Sequence, residues 1–238
     1  MPPIIALDFE NQAIATRFLA QFPATEPLVV KIGMELFYRE GPQVVRAIQK
    51  RPQTQIFLDL KLHDIPHTVE QAARQIGRLG VQLTTAHAAG GSAMLAAAKR
   101  GLIAGAAEVG LKPAQLLAIT QLTSTNQQML TQELQINGAV IDSVTHLAAL
   151  AQTSGADGVV ASAQEANAIR QAVGTDFLIV TPGIRPANSQ QDDQSRVVTP
   201  EAARQLGSSA IVVGRPITQA PEPVTAYQHI LSAWEEAK

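Results

Sequence analysis

The sequence has no cysteine among its 238 residues. This absence excludes disulfide bonds, thiolate metal sites and a cysteine nucleophile, and it is consistent with a protein of the reducing cytoplasm. Aromatic residues make up 4% and charged residues 16% of the chain, whereas hydrophobic residues make up 46%. We therefore expect aliphatic side chains to form most of a large core, as they do in buried parallel strands.

Strong net charge and long apolar runs are also missing. The formal net charge is -2, which favours neither nucleic acid nor an anionic membrane as a partner. The apolar runs are too short to span a bilayer, and the N-terminal segment does not resemble a signal peptide. The sequence therefore predicts a soluble cytoplasmic protein with neither a nucleic acid nor a membrane as partner.

Short apolar segments alternate with helical patterns along the chain. The segments predicted as strands are 4–9, 28–33, a strand beginning at 56, 82–87, 116–122, 158–162, 177–181 and 210–213. The segments predicted as helices are 11–21, 41–50, 66–79, 92–107, 139–153, 164–173, 200–206 and 222–236. Eight such units predict an α/β fold with one (β/α)8 TIM barrel domain over residues 1–238. An open doubly wound sheet is the alternative, but G-x-G-x-x-G does not follow the first strand.

The stretch 56–69, IFLDLKLHDIPHTV, combines an apolar strand with three charged residues. Because side chains alternate along a strand, Asp59 and Lys61 should share one face and three leucines the other. A solvated edge strand is one explanation of this pair. A buried acid and base must instead be paired, because an isolated buried charge is costly, and such a pair would indicate a functional site.

Two neighbouring strands also carry charges near their carboxyl ends. Asp8 ends the first predicted strand and Lys31 lies near the end of the second. Active sites of TIM barrels lie at the carboxyl ends of the strands. We therefore expect Asp8, Lys31, Asp59 and Lys61 to meet at the barrel mouth, where each charge stabilises its opposite neighbour.

The loops after strands seven and eight form the usual phosphate site of such barrels. Gly214 allows close approach of the backbone to an anion, and the guanidinium of Arg215 suits phosphate. The loop 181–197 is long and polar, and we interpret it as a lid with Arg185 and Gln194 as candidate ligand contacts. The alternative for Arg215 is an arginine that caps the barrel rim, and the alternative for the loop is a disordered surface loop.

With these residues identified, nearly the whole sequence resembles the orotidine 5'-phosphate decarboxylase family, in its bacterial type. The pattern D-x-K-x-x-D-I-P-x-T, followed by V-G-R after strand eight, is highly specific for that family. The matching segments are ALDF, VKIG, FLDLKLHDIPHTV, HAAGG, TQLTS, TPGIRP and VGRPI. The segment 125–137 looks individual to this chain, and we assign it no function.

The resemblance implies decarboxylation of orotidine 5'-monophosphate to uridine 5'-monophosphate without a metal or organic cofactor. It implies that Lys61 protonates C6 of the pyrimidine, with Asp59 and Asp64 beside it. Lys31 belongs to the same catalytic set and, with Asp8, contacts the ribose hydroxyl groups. These assignments agree with the ability of a fixed ammonium to stabilise negative charge and then deliver a proton.

The resemblance also implies a homodimer with shared active sites, because Asp64 and Thr68 would complete the site of the partner subunit. Thr123 and Ser124 would lie beside the pyrimidine. The phosphate would be held by a set at the other end of the site, namely Gln194, Arg215, the backbone at Gly214, and Arg185 in the closing loop.

Two other functions remain open. Magnesium-dependent sugar-phosphate decarboxylases and aldolases share D-x-K-x-x-D, but I-P-x-T and the lid bearing Gln194 favour the nucleotide enzyme. The second alternative is a barrel that binds a phosphate ligand without catalysis. A barrel of that kind would be expected to have lost Lys61 or Asp59, and this chain has both.

Overall fold

The computed structural model describes residues 1–186 and 198–237. Within them, eight parallel strands form a closed barrel in sequence order, with β1 paired to both β2 and β8. The strands are β1 (Ile4–Ala6), β2 (Leu28–Ile32), β3 (Thr54–Leu62), β4 (Leu83–His87), β5 (Gln115–Ile119), β6 (Gly158–Val160), β7 (Leu178–Thr181) and β8 (Ala210–Val213). The predicted TIM barrel is therefore confirmed. The predicted strands 4–9 and 116–122 extend too far, since the chain leaves the barrel after Ala6 and Ile119.

The helices alternate with these strands. They are α1 (Gln12–Leu19), α2 (Met34–Glu40), α3 (Pro42–Gln49), α4 (Pro66–Gly77), α5 (Gly91–Glu108), α6 (Val140–Thr153), α7 (Ala166–Val173), α8 (Pro200–Gln205), α9 (Arg215–Thr218) and α10 (Pro223–Glu236). α2 and α9 were not predicted. α2 is separated from α3 by Gly41, whose φ of 67° is readily adopted by glycine. Proline begins α3 and α4, where its missing N–H is not needed by the helix.

Two apolar layers lie on either side of the strands. The layer inside the barrel includes Ile4, Val29 and Phe57, while Leu58 and Leu60 belong to the layer between strands and helices. Asp59 is two positions after Phe57 and therefore shares its inward face. The prediction that Asp59 and the leucines of β3 lie on opposite faces is thus correct. The inner layer closes the barrel below the charged residues at its mouth.

β3 does not keep a regular register along its length. Leu58 pairs with Thr84 but Leu62 pairs with Ala86, so β3 uses four positions where β4 uses two. Lys61 has a φ of 54°, a left-handed conformation that is uncommon for a residue other than glycine. Extra residues on one strand of a pair form a bulge, so β3 is not a regular strand at Lys61. Asp59 and Lys61 nevertheless line the same cavity, as the predicted shared face requires.

The helices α4 and α5 approach closely because glycines line their contact. A Cβ atom on Gly101 would overlap the carbonyl oxygen of Glu70, and one on Gly105 would overlap that of Arg74. Both obstacles are backbone atoms of α4, so neither can rotate away as a side chain could. The α4–α5 packing distance therefore depends on the absence of a Cβ at these positions.

We predict that Gly105→Ala lowers the free energy of unfolding by about 1–3 kcal/mol, the usual cost of overpacking. This loss should outweigh the gain in helix propensity of about 1 kcal/mol. Denaturant titration measures the change. Ala104→Ser is the control, because it also adds one heavy atom to α5 but at an exposed position. Unchanged or increased stability of Gly105→Ala would show that the helices can separate without cost.

Candidate active site

The structure brings four predicted charged residues together at the barrel mouth. The Nζ of Lys31 lies 3.0 Å from Oδ1 of Asp8 and 3.9 Å from Oδ2 of Asp59. The Nζ of Lys61 lies 2.9 Å from the same Oδ2 of Asp59. Asp8, Lys31, Asp59 and Lys61 thus form a continuous row of alternating charge, which we call the mouth ion chain. Each of its members has an opposite charge as its neighbour.

Gly33 leaves the space that one link of this chain requires. A Cβ atom on Gly33 would lie 3.0 Å from the Nζ of Lys31 and 3.4 Å from Oδ1 of Asp8. A side chain there would press against the ion pair from the direction of α2. Gly33, the last residue of the VKIG segment, therefore leaves room for the ion pair between Lys31 and Asp8.

Asp59 is a buried carboxylate, with 8% of the residue exposed. Its Oδ2 accepts a hydrogen bond from Lys61, and its Oδ1 accepts one of 2.9 Å from the hydroxyl of Thr85. A buried carboxylate is costly unless it is paired and hydrogen-bonded, and both of its oxygens meet that requirement here. Thr85 was not predicted as a site residue.

Thr85 also holds the backbone of β3. Its Oγ1 accepts a hydrogen bond of 2.9 Å from the backbone N–H of Lys61. The hydroxyl therefore contacts both predicted catalytic residues of β3. Thr85 shares the inward face of β4 with Leu83 and His87, because each is two positions from the next. Since β4 is next to β3, this position could have identified Thr85 as a neighbour of Asp59 from the sequence.

Two adjoining cavities open at the mouth. One of about 460 Å³ is lined by charged and glycine residues that include Asp8, Lys31, Gly183, Arg185, Gly214 and Arg215. The other, of about 140 Å³, is lined by Asp59, Lys61 and Thr123 together with apolar residues that include Phe57, Ile119 and Val160. Lys31, Pro182 and Val212 line both. The site therefore has a cationic end and an apolar end that carries an ammonium.

The cationic end adjoins the ends of the predicted lid. Arg185 is buried, and its backbone N–H donates a hydrogen bond of 3.0 Å to the carbonyl of Val198. The backbone N–H of Val198 in turn donates a hydrogen bond to the carbonyl of Gly183. The residues on the two sides of the predicted lid are therefore joined beside the cavity. The predicted contact Gln194 lies outside the described residues, as do the other residues of 187–197.

Three of the four remaining predicted site residues lie at the surface of the chain. Asp64 and Thr68 are exposed, and the carboxylate of Asp64 accepts a hydrogen bond of 2.6 Å from the backbone N–H of Ile65. Among the described residues, the ion pair of Lys61 is with Asp59 and not with Asp64. Thr123 is half-buried and lines the apolar cavity, whereas Ser124 is exposed.

Two histidines lie beside the ion chain. The rings of His63 and His87 are 5.1 Å apart between centroids. Burial lowers the pKa of His87 from its ordinary value of 6.5, and the nearby His63 and Lys61 lower it further against the opposing effect of Asp59. His87 is therefore held in its neutral form to lower pH than a solvated histidine would be.

Neither a metal cluster nor a membrane-spanning helix is found in the described ranges, 1–186 and 198–237. Groups of three or more His, Cys, Asp or Glu residues that could hold a metal ion are absent there. The helices in the same ranges are also too short or too polar to cross a bilayer.

Fold and site together define a TIM-barrel protein with an ion chain at one end of its mouth and guanidinium groups at the other. A family model described as "Orotidine 5'-phosphate decarboxylase / HUMPS family" matches residues 1–230. The chain belongs to this family, which agrees with the resemblance drawn from its motifs.

Named relatives match along almost the whole chain. An orotidine 5'-phosphate decarboxylase of Lactiplantibacillus plantarum is 61% identical, covering 98% of each chain. One of Latilactobacillus sakei is 57% identical, covering 100% of this chain and 99% of its own. A crystal structure of orotidine 5'-phosphate decarboxylase from Lactobacillus acidophilus superposes with a TM-score of 0.88 at 43% identity, covering 98% of each chain.

We predict that His87 makes the folded protein less stable as the pH falls. Its lowered pKa means that the unfolded chain takes up a proton near pH 6.5 while the folded chain does not, so stability is lost below that pH. His87→Gln should therefore lose less unfolding free energy than wild type between about pH 7.5 and about pH 5.5. Denaturant titration at both pH values measures this difference.

The exposed His146 of α6 offers a control for the loss of one histidine. His146→Gln should retain the pH dependence of the wild type. An identical loss of stability in wild type, His87→Gln and His146→Gln would contradict the role assigned to burial of His87.

Proposed function

We propose that this chain converts orotidine 5'-monophosphate to uridine 5'-monophosphate and carbon dioxide, a step of pyrimidine nucleotide synthesis, without a metal or organic cofactor. The names of its relatives, at 61% and 57% identity over nearly full length, support this reaction. The observation that carries the proposal is the Lys61 ammonium, which lines the small apolar cavity 2.9 Å from the Asp59 carboxylate.

The chemistry follows from that ammonium. The bond between C6 of the pyrimidine and the carboxylate breaks, carbon dioxide leaves, and the electron pair remains on C6. Lys61 stabilises this charge as it develops and donates a proton to C6, which completes the product. Arginine would serve poorly, because its guanidinium holds its proton too strongly to donate it. Asp59 accepts a hydrogen bond from the Lys61 ammonium and so directs it at the cavity.

The rest of the substrate fits the two ends of the site. We assign the phosphate to Arg215, the backbone at Gly214, Arg185 and Gln194, and the ribose hydroxyls to Asp8 and Lys31. The pyrimidine then lies beside Thr123 and Ser124. Lys31 lines both cavities, which supports its place between phosphate and base. Binding energy at the phosphate can organise the distant reacting end.

We also propose a cytoplasmic homodimer in which Asp64 and Thr68 complete the site of the partner subunit. Residues 63–68, directly after β3, are exposed without interruption, including the apolar Ile65. Met34, Tyr38 and Leu122 are exposed as well and follow the carboxyl ends of β2 and β5. Exposed apolar residues in segments on the mouth side are typical of a contact surface. The cytoplasmic location is supported by the cysteine-free composition.

The proposed reaction is tested by the loss of orotidine 5'-monophosphate absorbance with purified protein in EDTA. We expect turnover in the presence of the chelator. Lys61→Ala should reduce kcat by at least about 10³-fold, because both charge stabilisation and proton donation are lost. Lys112→Ala, at an exposed lysine outside the cavities, is the matched control.

Other results would favour the alternatives. Activity that vanishes in EDTA and returns with magnesium would favour a metal-dependent sugar-phosphate enzyme. Binding of phosphorylated ligands without turnover would favour a barrel that only binds them. Near-normal turnover by Lys61→Ala would remove the proton-donor role.

Shared sites predict complementation between inactive subunits. A mixed dimer of Lys61→Ala and Asp64→Ala subunits contains one site with both native residues. After subunit exchange at equal concentrations, about a quarter of the wild-type activity should return, because half of the dimers are mixed and each has one native site. Activity that stays absent after exchange is verified with distinguishable tags would argue against sharing of Asp64.

A further inference from the structure

The hydroxyl of Thr85 occupies a central position beneath the site. Thr85 is fully buried and lies on β4, next to the irregular part of β3. It is not among the residues that line either mouth cavity. Any influence on the reaction must therefore pass through the residues that it touches, Asp59 and Lys61.

The two hydrogen bonds of Thr85 have fixed directions. A backbone N–H can only donate, so Oγ1 accepts from Lys61. The single hydroxyl proton is then directed to Oδ1 of Asp59, which holds the hydroxyl rotor in one orientation. One oxygen atom thus links the carboxylate that orients the ammonium to the backbone that carries it.

The backbone at Lys61 requires such support. Its φ of 54° is sparsely populated for residues with a side chain, and such conformations persist when surrounding contacts fix them. The register shift between Leu58 and Leu62 also interrupts the ladder of β3 and β4. The hydroxyl of Thr85 supplies the hydrogen-bond acceptor that the N–H of Lys61 uses there.

We propose that Thr85 is a positioning residue, whose hydroxyl fixes the Asp59 carboxylate and the left-handed Lys61 backbone so that the ammonium meets the reacting carbon. This inference rests on the proposed function. A group of this kind should affect the chemical step more than substrate binding, because it touches the reacting lysine and not the ligand. Misplacement of a reacting group by about 1 Å can lower a rate by about 10²-fold.

The neighbouring Thr84 provides a matched control. It is equally buried on the same strand, but its Oγ1 has no hydrogen-bond partner. Threonine and valine have nearly the same shape, so each Thr→Val variant removes a hydroxyl with little other change. We expect Thr85→Val to lower kcat between about tenfold and about 10²-fold with KM within about threefold of wild type. Thr84→Val should retain the wild-type kcat.

A second pair of variants separates positioning from folding. Thr85→Ala and Thr85→Ser both lose the methyl group, but only serine keeps the hydroxyl. We expect Thr85→Ser to recover most of the kcat that Thr85→Ala loses. If Thr85→Val does not fold, this pair makes the same comparison, and unfolding midpoints measured beside kcat identify folded samples.

The outcomes distinguish this inference from the proposed function. A wild-type protein without orotidine 5'-monophosphate turnover would overturn the proposed function and this inference with it. An active wild type with unchanged kcat in folded Thr85→Val and Thr85→Ala would overturn the positioning role alone. A lower unfolding midpoint with wild-type kcat would also overturn it, since Thr85 would then be only structural.

Discussion

The Asp59 carboxylate is the constraint on which the mouth of this barrel depends. A carboxylate so enclosed is stable only with partners for both oxygens, and the partners come from three different strands. Asp59 forms ion pairs with Lys31 of β2 and Lys61 of β3, and it accepts a hydrogen bond from Thr85 of β4. Both lysines are ion-paired with this one acid, Lys61 at 2.9 Å and Lys31 at 3.9 Å. The hydrogen bond that Lys61 donates to the buried Asp59 therefore also holds the lysine proposed to protonate the substrate.

The barrel makes this convergence possible because parallel strands end at the same edge. The inward positions of β1 and β2 carry Ile4 and Val29 low in the barrel, and Asp8 and Lys31 near or beyond the carboxyl ends of the strands. The apolar layer excludes water from below, which strengthens the electrostatic interactions above it. Gly101 and Gly105 of α5 act elsewhere in the fold. They allow α4, the helix that follows β3, to pack closely against α5.

Much of this arrangement follows from local pattern, and the remainder depends on neighbours in space. The period of two placed Lys31 and Asp59 on inward faces, because both strands are regular there. It also placed Lys61 beside Asp59, but it missed the left-handed backbone of Lys61, which depends on the pairing with β4 rather than on local pattern. Thr85 was missed for the same reason, since a threonine in an apolar strand gains its role only beside Asp59. The roles proposed for Asp64 and Thr68 require a second subunit, and Gln194 lies outside the described residues.

The two ends of the site differ in charge, and this difference favours one orientation for the proposed substrate. The mouth ion chain contains two carboxylates and two ammonium groups, so its charges balance. The other end contributes the guanidinium groups of Arg185 and Arg215. This difference supports the proposed placement of the phosphate at the arginine end and of the base at the apolar end. Loss of a carboxylate as neutral carbon dioxide leaves its negative charge on carbon, and the ammonium groups of Lys61 and Lys31 both line the cavity at the apolar end.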